Sequence, residues 1–237
     1  MDWDRYDAAL FDLDGVLTPT ALVHMRAWDA TFTALFRARG IEPPYGDDDY
    51  FRFVDGRPRY DAVRAVLASR DVVLPEGSPQ DPPGDGTVHA VGNAKNAHVL
   101  RLLAAGVEAY PDAVALLDRL AAADLPCAVV SSSRNARAVL DAARLTDRFR
   151  LVVDGVVAAR ERLAGKPAPE TFAYAARALG VPADRCVVLE DAVSGVAAGA
   201  AGGFGLVVGV DRGAGADALR AAGADVVVTR LTDLVGP

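Results

Sequence analysis

Phe11-Asp12-Leu13-Asp14-Gly15-Val16 closes an apolar run that begins at Ala8. Side chains alternate along a strand with a period of two, so Asp12 and Asp14 are expected on the same side of the chain. Gly15 then lets the chain turn sharply. Two acids held together at the C-terminal end of a buried strand are costly unless something cationic sits between them. Mg²⁺ meets that need, being a hard ion that prefers carboxylate oxygens and often arrives with phosphates. A calcium loop does not: it would require an oxygen ligand and then glycine where the chain has Val16 and Leu17. A solvated turn is the other reading, set against the apolar residues that precede the pair.

Outward from this phrase, short apolar runs alternate with helical patterns. Cys127–Ser131, Leu151–Asp154, Cys186–Glu190, Leu206–Val210 and Asp225–Thr229 read, together with Ala8–Leu13, as buried strands. Continuous apolar runs of this length are those of parallel strands covered on both faces. Helices are expected at Asp112–Ala122, Arg134–Ala143 and Glu170–Leu179, the last opening after Pro169 and stopping at Gly180. The alternation predicts an α/β fold with a doubly wound, mostly parallel, Rossmann-like sheet.

Residues 19–106 break the alternation and read as helices only, at His24–Arg39, Arg59–Ser69 and Asn93–Ala104, with a Pro- and Gly-rich loop at Leu74–Gly86. The expected organisation is a core of residues 1–18 and 107–237 with a helical cap domain, residues 19–106, inserted after the first strand. Ligands of such sheets bind beyond the C-terminal strand ends, so an insert there can serve as a lid.

Of the 237 residues, 51% are hydrophobic, ample for a packed core. The sequence holds no run of eighteen uncharged apolar residues, which argues against a membrane span. Met1-Asp2-Trp3-Asp4 lacks the layout of a signal peptide. Cys127 and Cys186 each sit in an apolar run and read as buried free thiols, in keeping with a cytoplasmic protein. The net charge of −7 argues against nucleic acid as a partner. It leaves anionic small molecules open, because a site can be locally cationic. A monomer is expected, since no long apolar surface stripe is evident and a moving cap needs room.

Three further phrases carry chemistry. Ser131-Ser132-Ser133-Arg134-Asn135 ends a strand in hydroxyls and opens a helix, where free N–H groups can cradle a phosphate; plain N-capping by serine is the alternative. Lys166, in Gly165-Lys166-Pro167, is held extended just before a helix and can reach a phosphoryl oxygen or an aspartate, unless it is a solvated turn lysine. Glu190-Asp191 closes another buried strand, either as a second acid pair or as charge complementing a helix dipole. Taken together, a Mg²⁺–phosphate site is the economical reading.

This ordered set closely resembles the haloacid dehalogenase superfamily of phosphotransferases, over essentially the whole chain. The motifs are Asp12-x-Asp14, Ser131, Lys166 and Glu190-Asp191. The resemblance implies Asp12 as nucleophile and Asp14 as general acid/base, with Ser131 and Lys166 completing the catalytic set. It also implies Mg²⁺ held by Asp12, the backbone carbonyl of Asp14, and Asp191 with or without Glu190. Phosphatases and phosphomutases of the superfamily have the second aspartate; dehalogenases lack it.

The insert is similar to that of the β-phosphoglucomutase-like subfamily. Thr18-x-Thr20, His24 and Trp28 look like its hinge and first cap helix, and the resemblance implies Thr20, His24 and Trp28 as substrate-binding residues. Arg59 is similar in place to a cap arginine that grips the nonreacting phosphate. Lys95-Asn96 resembles a cap lysine and its neighbouring asparagine, and Ser132, Ser133, Arg134 and Asn135 join the substrate-binding group. Pro19, where an acidic residue is common, and the long Leu74–Gly86 stretch are departures. The implied activity is Mg²⁺-dependent phosphoryl transfer on a phosphorylated sugar through an aspartyl phosphate, moving phosphate between C1 and C6. The alternative is a phosphatase hydrolysing a sugar or cyclitol phosphate. A noncatalytic protein on this fold would most naturally have lost Asp12 or Lys166.

Overall fold

Six strands form one parallel sheet in the computed structural model: β1 (Ala8–Phe11), β2 (Cys127–Val130), β3 (Leu151–Val153), β4 (Cys186–Glu190), β5 (Leu206–Val210) and β6 (Val226–Val228). Their order is β3-β2-β1-β4-β5-β6. The structure describes residues 1–55, 57–103 and 106–236, apart from the Ala21 side chain. The order reverses beside β1, where Leu10 lies opposite Ala128 on one side and Val188 on the other. A sheet that winds both ways from one strand leaves a crevice at the C-terminal ends there. Asp12, Ser131 and Glu190 stand at those ends.

The helices, in chain order, are α1 (Thr20–Arg39), α2 (Asp47–Asp49), α3 (Arg59–Ala68), α4 (Val88–Leu103), α5 (Pro111–Ala122), α6 (Ala136–Ala142), α7 (Gly155–Glu161), α8 (Glu170–Leu179), α9 (Val193–Ala201) and α10 (Ala216–Ala221). The chain divides into two units, Met1–Thr20 with Val107–Pro237, and Ala21–Gly106. In the first, Phe172, Ala175 and Ala176 of α8 pack with Leu10, Val130 and Val188 of the sheet. Full burial of one such large apolar side chain contributes about 1.5–3 kcal/mol. In the second, Trp28, Phe32, Leu35 and Phe36 of α1 meet Val63, Val66 and Leu67 of α3 and Val91 of α4. The Phe32 ring stacks at 5.2 Å on Trp28 and 5.0 Å on Tyr45.

Several elements differ in extent from the sequence expectation. β1 ends at Phe11, so Asp12 and Asp14 lie in the turn beyond the strand rather than on its alternating face. α1 begins at Thr20, four residues before His24. α4 begins at Val88 and runs through Gly92. A Cβ at Gly92 would stand 2.7 Å from the Tyr60 ring, so this glycine is where α3 and α4 approach closely. α6 starts at Ala136, two residues late. α7, α9 and α10, and a π-helical turn at Tyr50–Val54, were not expected individually. Ala104, the expected end of the third insert helix, and Gly56 lie outside the described residues.

Candidate active site

Lys166 is the hub of the strand ends. Its ammonium donates to Asp12 Oδ1 at 2.5 Å, to Glu190 Oε1 at 2.5 Å and to the Val130 carbonyl at 3.0 Å. An ammonium has three donors, and these partners use all of them. The side chain is 2% exposed and lies 5.0 Å from the Phe172 ring centre. It is not the solvated turn lysine that its surroundings in sequence allow. Burial lowers its proton affinity, but the Asp12 and Glu190 carboxylates more than reverse this, so it stays charged.

Both carboxylates are strained by the same burial. Desolvation pushes Asp12 up to about 6; Lys166 opposes the shift and Asp14 adds to it. Glu190 is pushed up to about 7 by burial, against the pull of Lys166. The second Glu190 oxygen accepts from the Ala192 N–H at 2.9 Å. With Lys166 on one oxygen and the backbone on the other, Glu190 is engaged as a buried partner of the lysine. Gly195 makes this possible: a Cβ there would stand 1.7 Å from Glu190 Oε1.

Asp191 comes up against Gly15, in the turn that carries Asp14. Gly15 has φ +96°, and a Cβ on it would fall 1.8 Å from Asp191 Oδ2. The turn is closed by Gly15 N–H to the Thr18 carbonyl at 2.8 Å, and the Asp12 N–H holds the Leu189 carbonyl of β4 at 2.9 Å. Thr20, expected among the substrate-binding residues, is wholly buried and donates its hydroxyl to Asp14 Oδ1. Thr18 stands 2.7 Å behind it, hydroxyl to hydroxyl. Thr20 therefore orients the acid.

The serine segment differs from the expected helix-borne cradle. Ser131 is 4% exposed, and its hydroxyl accepts from the Ser133 N–H; the Ser133 hydroxyl accepts from Asn135 N–H, both at 3.1 Å. The residues form a turn ahead of α6, and two of the serines spend hydroxyls on the local backbone. Ser132 and Asn135 also lie in this turn, half-buried, and Arg134 is exposed.

Within the helical unit the expected residues form two groups. Lys95, 3% exposed, lies 2.8 Å from His24 Nδ1 and 4.9 Å from the Trp28 ring centre. Burial first, then the Lys95 and Arg59 charges, hold His24 well below its ordinary value, so its ring is neutral and accepts from the ammonium. Arg59 donates to Asn96 Oδ1 at 2.7 Å. Lys95 is thus a buried cation rather than part of a solvated helix face.

Among the described residues no group of three or more His, Cys, Asp or Glu side chains is arranged to hold a metal ion. The Mg²⁺ set implied by resemblance has two side chains, Asp12 and Asp191, plus the Asp14 carbonyl, once Glu190 is assigned to Lys166. Two carboxylates and a carbonyl, with water and phosphate filling the rest, suit Mg²⁺ and give a softer metal nothing to prefer. The charge balance fits as well: Asp12 and Glu190 share one ammonium, Asp14 adds its charge beside Asp12, and a phosphate dianion needs a cation to enter. Because a proton competes at Asp12, apparent Mg²⁺ affinity should fall as pH drops through about 6, by about tenfold per unit below it. Calorimetry across pH 5–8, in two buffers of different ionisation enthalpy, checks this. Affinity that does not vary with pH would remove Asp12 from the ligand set.

The sequence pattern of a haloacid dehalogenase-like hydrolase matches residues 6–203. The chain is 46% identical over 243 residues to a β-phosphoglucomutase of Mycobacterium bovis, covering 98% of this chain and 92% of that protein. It is 30% identical over 210 residues to the fructose-1-phosphate phosphatase YqaB of Escherichia coli, covering 86% and 97%. The crystal structure of a β-phosphoglucomutase from Clostridium difficile superposes with a TM-score of 0.78 at 24% identity, covering 97% of this chain and 93% of that one, a likeness of fold. No helix among the described residues is long and apolar enough to cross a membrane.

Proposed function

Because the chain belongs to the haloacid dehalogenase-like hydrolase family, we propose that it is a phosphomutase of the β-phosphoglucomutase type, moving phosphate between C1 and C6 of a hexose phosphate through an aspartyl phosphate on Asp12. The observation that carries the reading is the Lys166 hub, which ties Asp12 to Glu190 in a buried unit. The proposal takes Ala21–Gly106 as the cap and the protein as a cytoplasmic monomer acting on a small phosphorylated sugar.

In the first half-reaction an Asp12 oxygen bonds to phosphorus as the ester oxygen departs, and Asp14 supplies that oxygen's proton. Nucleophile and phosphate repel: at ~4 Å each unit pair costs roughly 4 kcal/mol at an effective dielectric of 20, so about 8 kcal/mol for a dianion. Lys166 offsets part of this, and Mg²⁺ at Asp12, the Asp14 carbonyl and Asp191 would supply the remaining Lewis-acid charge. Thr20 holds the Asp14 carboxyl while it waits for the leaving oxygen. When the donor is the bisphosphate, the first half-reaction releases one hexose monophosphate; in the second, the aspartyl phosphate passes to the free hydroxyl of the isomeric monophosphate, the bisphosphate is regenerated, and Asp14 takes that hydroxyl's proton. Transfer to water instead would make the enzyme a phosphatase, the reading favoured by the likeness to YqaB.

Incubation with β-glucose 1-phosphate, Mg²⁺ and a trace of bisphosphate separates the two. Glucose 6-phosphate should accumulate well ahead of inorganic phosphate; abundant free phosphate without the isomer defeats the mutase reading. A bisphosphate also needs a grip on its nonreacting end, the role proposed for Arg59. Loss of one charge-assisted contact is worth about 1.5–3 kcal/mol. Arg59→Ala should therefore lower mutase turnover by about 10–100-fold and leave hydrolysis of a small aryl phosphate nearly unchanged. Equal losses on both substrates would show that Arg59 is no such clamp.

A further inference from the structure

Arg212, in the loop that follows β5, lies outside every motif discussed so far. Its Nε donates to the Gly15 carbonyl at 3.3 Å, Nη1 to the Thr229 carbonyl at 3.1 Å and Nη2 to Asp112 Oδ2 at 2.8 Å. The guanidinium also lies 4.2 Å from the centre of the Tyr110 ring. Asp112 Oδ2 accepts a second bond, from the Leu231 N–H at 2.8 Å, and Tyr110 N–H donates to the Leu17 carbonyl at 2.9 Å. One side chain thus joins the Gly15 turn, the start of α5 and the segment after β6. The Arg212 and Asp112 side chains are only 19% and 13% exposed, so this is not a solvated surface pair. The loop itself is shaped to present the arginine: Asp211 Oδ1 accepts from the Gly213 and Gly215 N–H groups.

We propose that Arg212 is a positioning residue for phosphoryl transfer, holding the Gly15 turn by its carbonyl so that Asp14 stands in register with the leaving oxygen and with Asp191. The planar fork suits the task, because it reaches Gly15, Asp112 and Thr229 from three separate nitrogens held in one plane, whereas an ammonium offers its three donors from a single freely rotating nitrogen. Asp191 packs against the other side of the same glycine. Backbone bonds close the turn from within, and Arg212 adds a side-chain donor to the Gly15 carbonyl from outside it. The inference rests on the reading of Asp14 as the acid that protonates the leaving group.

A misplaced acid costs most when the leaving group needs its proton. Hydrolysis of an alkyl phosphate and of 2,4-dinitrophenyl phosphate should therefore be compared in wild type, Arg212→Ala, Arg212→Lys and Asp14→Asn. Arg212→Ala should lose about 30–100-fold in kcat on the alkyl ester, the scale of an ångström-size misplacement, and less than about threefold on the aryl ester. Arg212→Lys should fall between. Asp14→Asn must show the same split more strongly; its failure to do so would overturn the role of Asp14 and with it the proposal. Equal losses for Arg212→Ala on both esters, beside a clear split for Asp14→Asn, would overturn the proposal alone. Hydrogen exchange gives a readout without turnover. The Gly15 amide should exchange faster in Arg212→Ala, or in Arg212→Lys should the alanine variant fail to fold, while β4 is unchanged. Unaltered exchange at Gly15 would also contradict the proposed grip.

Discussion

Asp12→Asn should abolish turnover and leave the protein at least as stable as before. The expected loss in kcat is at least about 10³-fold, because nucleophile removal in enzymes is felt on this scale or larger. The stability half follows from the titration of Asp12. Its pKa in the folded protein is raised to about 6 by burial. A raised carboxyl binds its proton more tightly folded than unfolded, so its contribution to stability falls as pH rises through that value. At pH 7.5 wild type bears the cost of an ionised buried acid, and the amide does not. Asparagine also keeps an oxygen for Lys166. Urea melts at pH 7.5 should place Asp12→Asn level with wild type or above it. Activity within tenfold of wild type would remove Asp12 as nucleophile; a clearly less stable variant would contradict the electrostatics.

The second large effect concerns Lys166. Lys166→Met keeps the aliphatic volume against Phe172 and removes the charge between Asp12 and Glu190. Breaking a buried ion pair from one side costs about 3–5 kcal/mol, since the remaining charges are uncompensated. Here two carboxylates lose their shared partner, both already raised by desolvation. Without Lys166 they should rise further and take up protons in the folded state as pH falls. The destabilisation should therefore be larger at pH 8 than at pH 5.5, and turnover should be lost at both. A variant equally destabilised at the two pH values would mean that Lys166 contributes packing rather than charge.

Much of the core unit was legible because its physics is local. Ala8–Phe11, Cys127–Val130 and Leu206–Val210 are short β-rich apolar runs with no alternation, the pattern of strands buried on both faces. α8 carries start and stop signals at Pro169 and Gly180, and it runs between them. α9 was less legible: Val193–Ala201 is composed of small residues and shows no clear polar face. α4 starts at Val88, five residues before the expected Asn93, and within that added turn Gly92 answers a tertiary demand, the approach of Tyr60, that no local rule contains.

The same division holds for the candidate site. The residue types at the strand ends could be read from Asp12, Asp14, Ser131, Lys166, Glu190 and Asp191 in turn. Which atoms meet could not. That Glu190 is spent on Lys166 and the Ala192 N–H, that Thr20 serves Asp14, and that Ser131 and Ser133 cap their own turn are all facts of packing. Gly15 and Gly195 were visible as glycines, yet their reason is the carboxylate that each makes room for. Arg212 gave no signal, because Asp211-Arg212-Gly213 has the composition of an ordinary turn; its partners Gly15, Asp112 and Thr229 are remote in sequence.

The central claim is that Asp12 carries the phosphoryl group during turnover. The direct measurement is rapid quenching of the Mg²⁺-loaded enzyme with its sugar bisphosphate, digestion, and mass spectrometry of the peptide containing Phe11–Val16. The expected result is one phosphoryl group on Asp12, formed and discharged at rates that match turnover and absent in Asp12→Asn. Turnover with that peptide unmodified, or with the phosphoryl group on another residue, would contradict it.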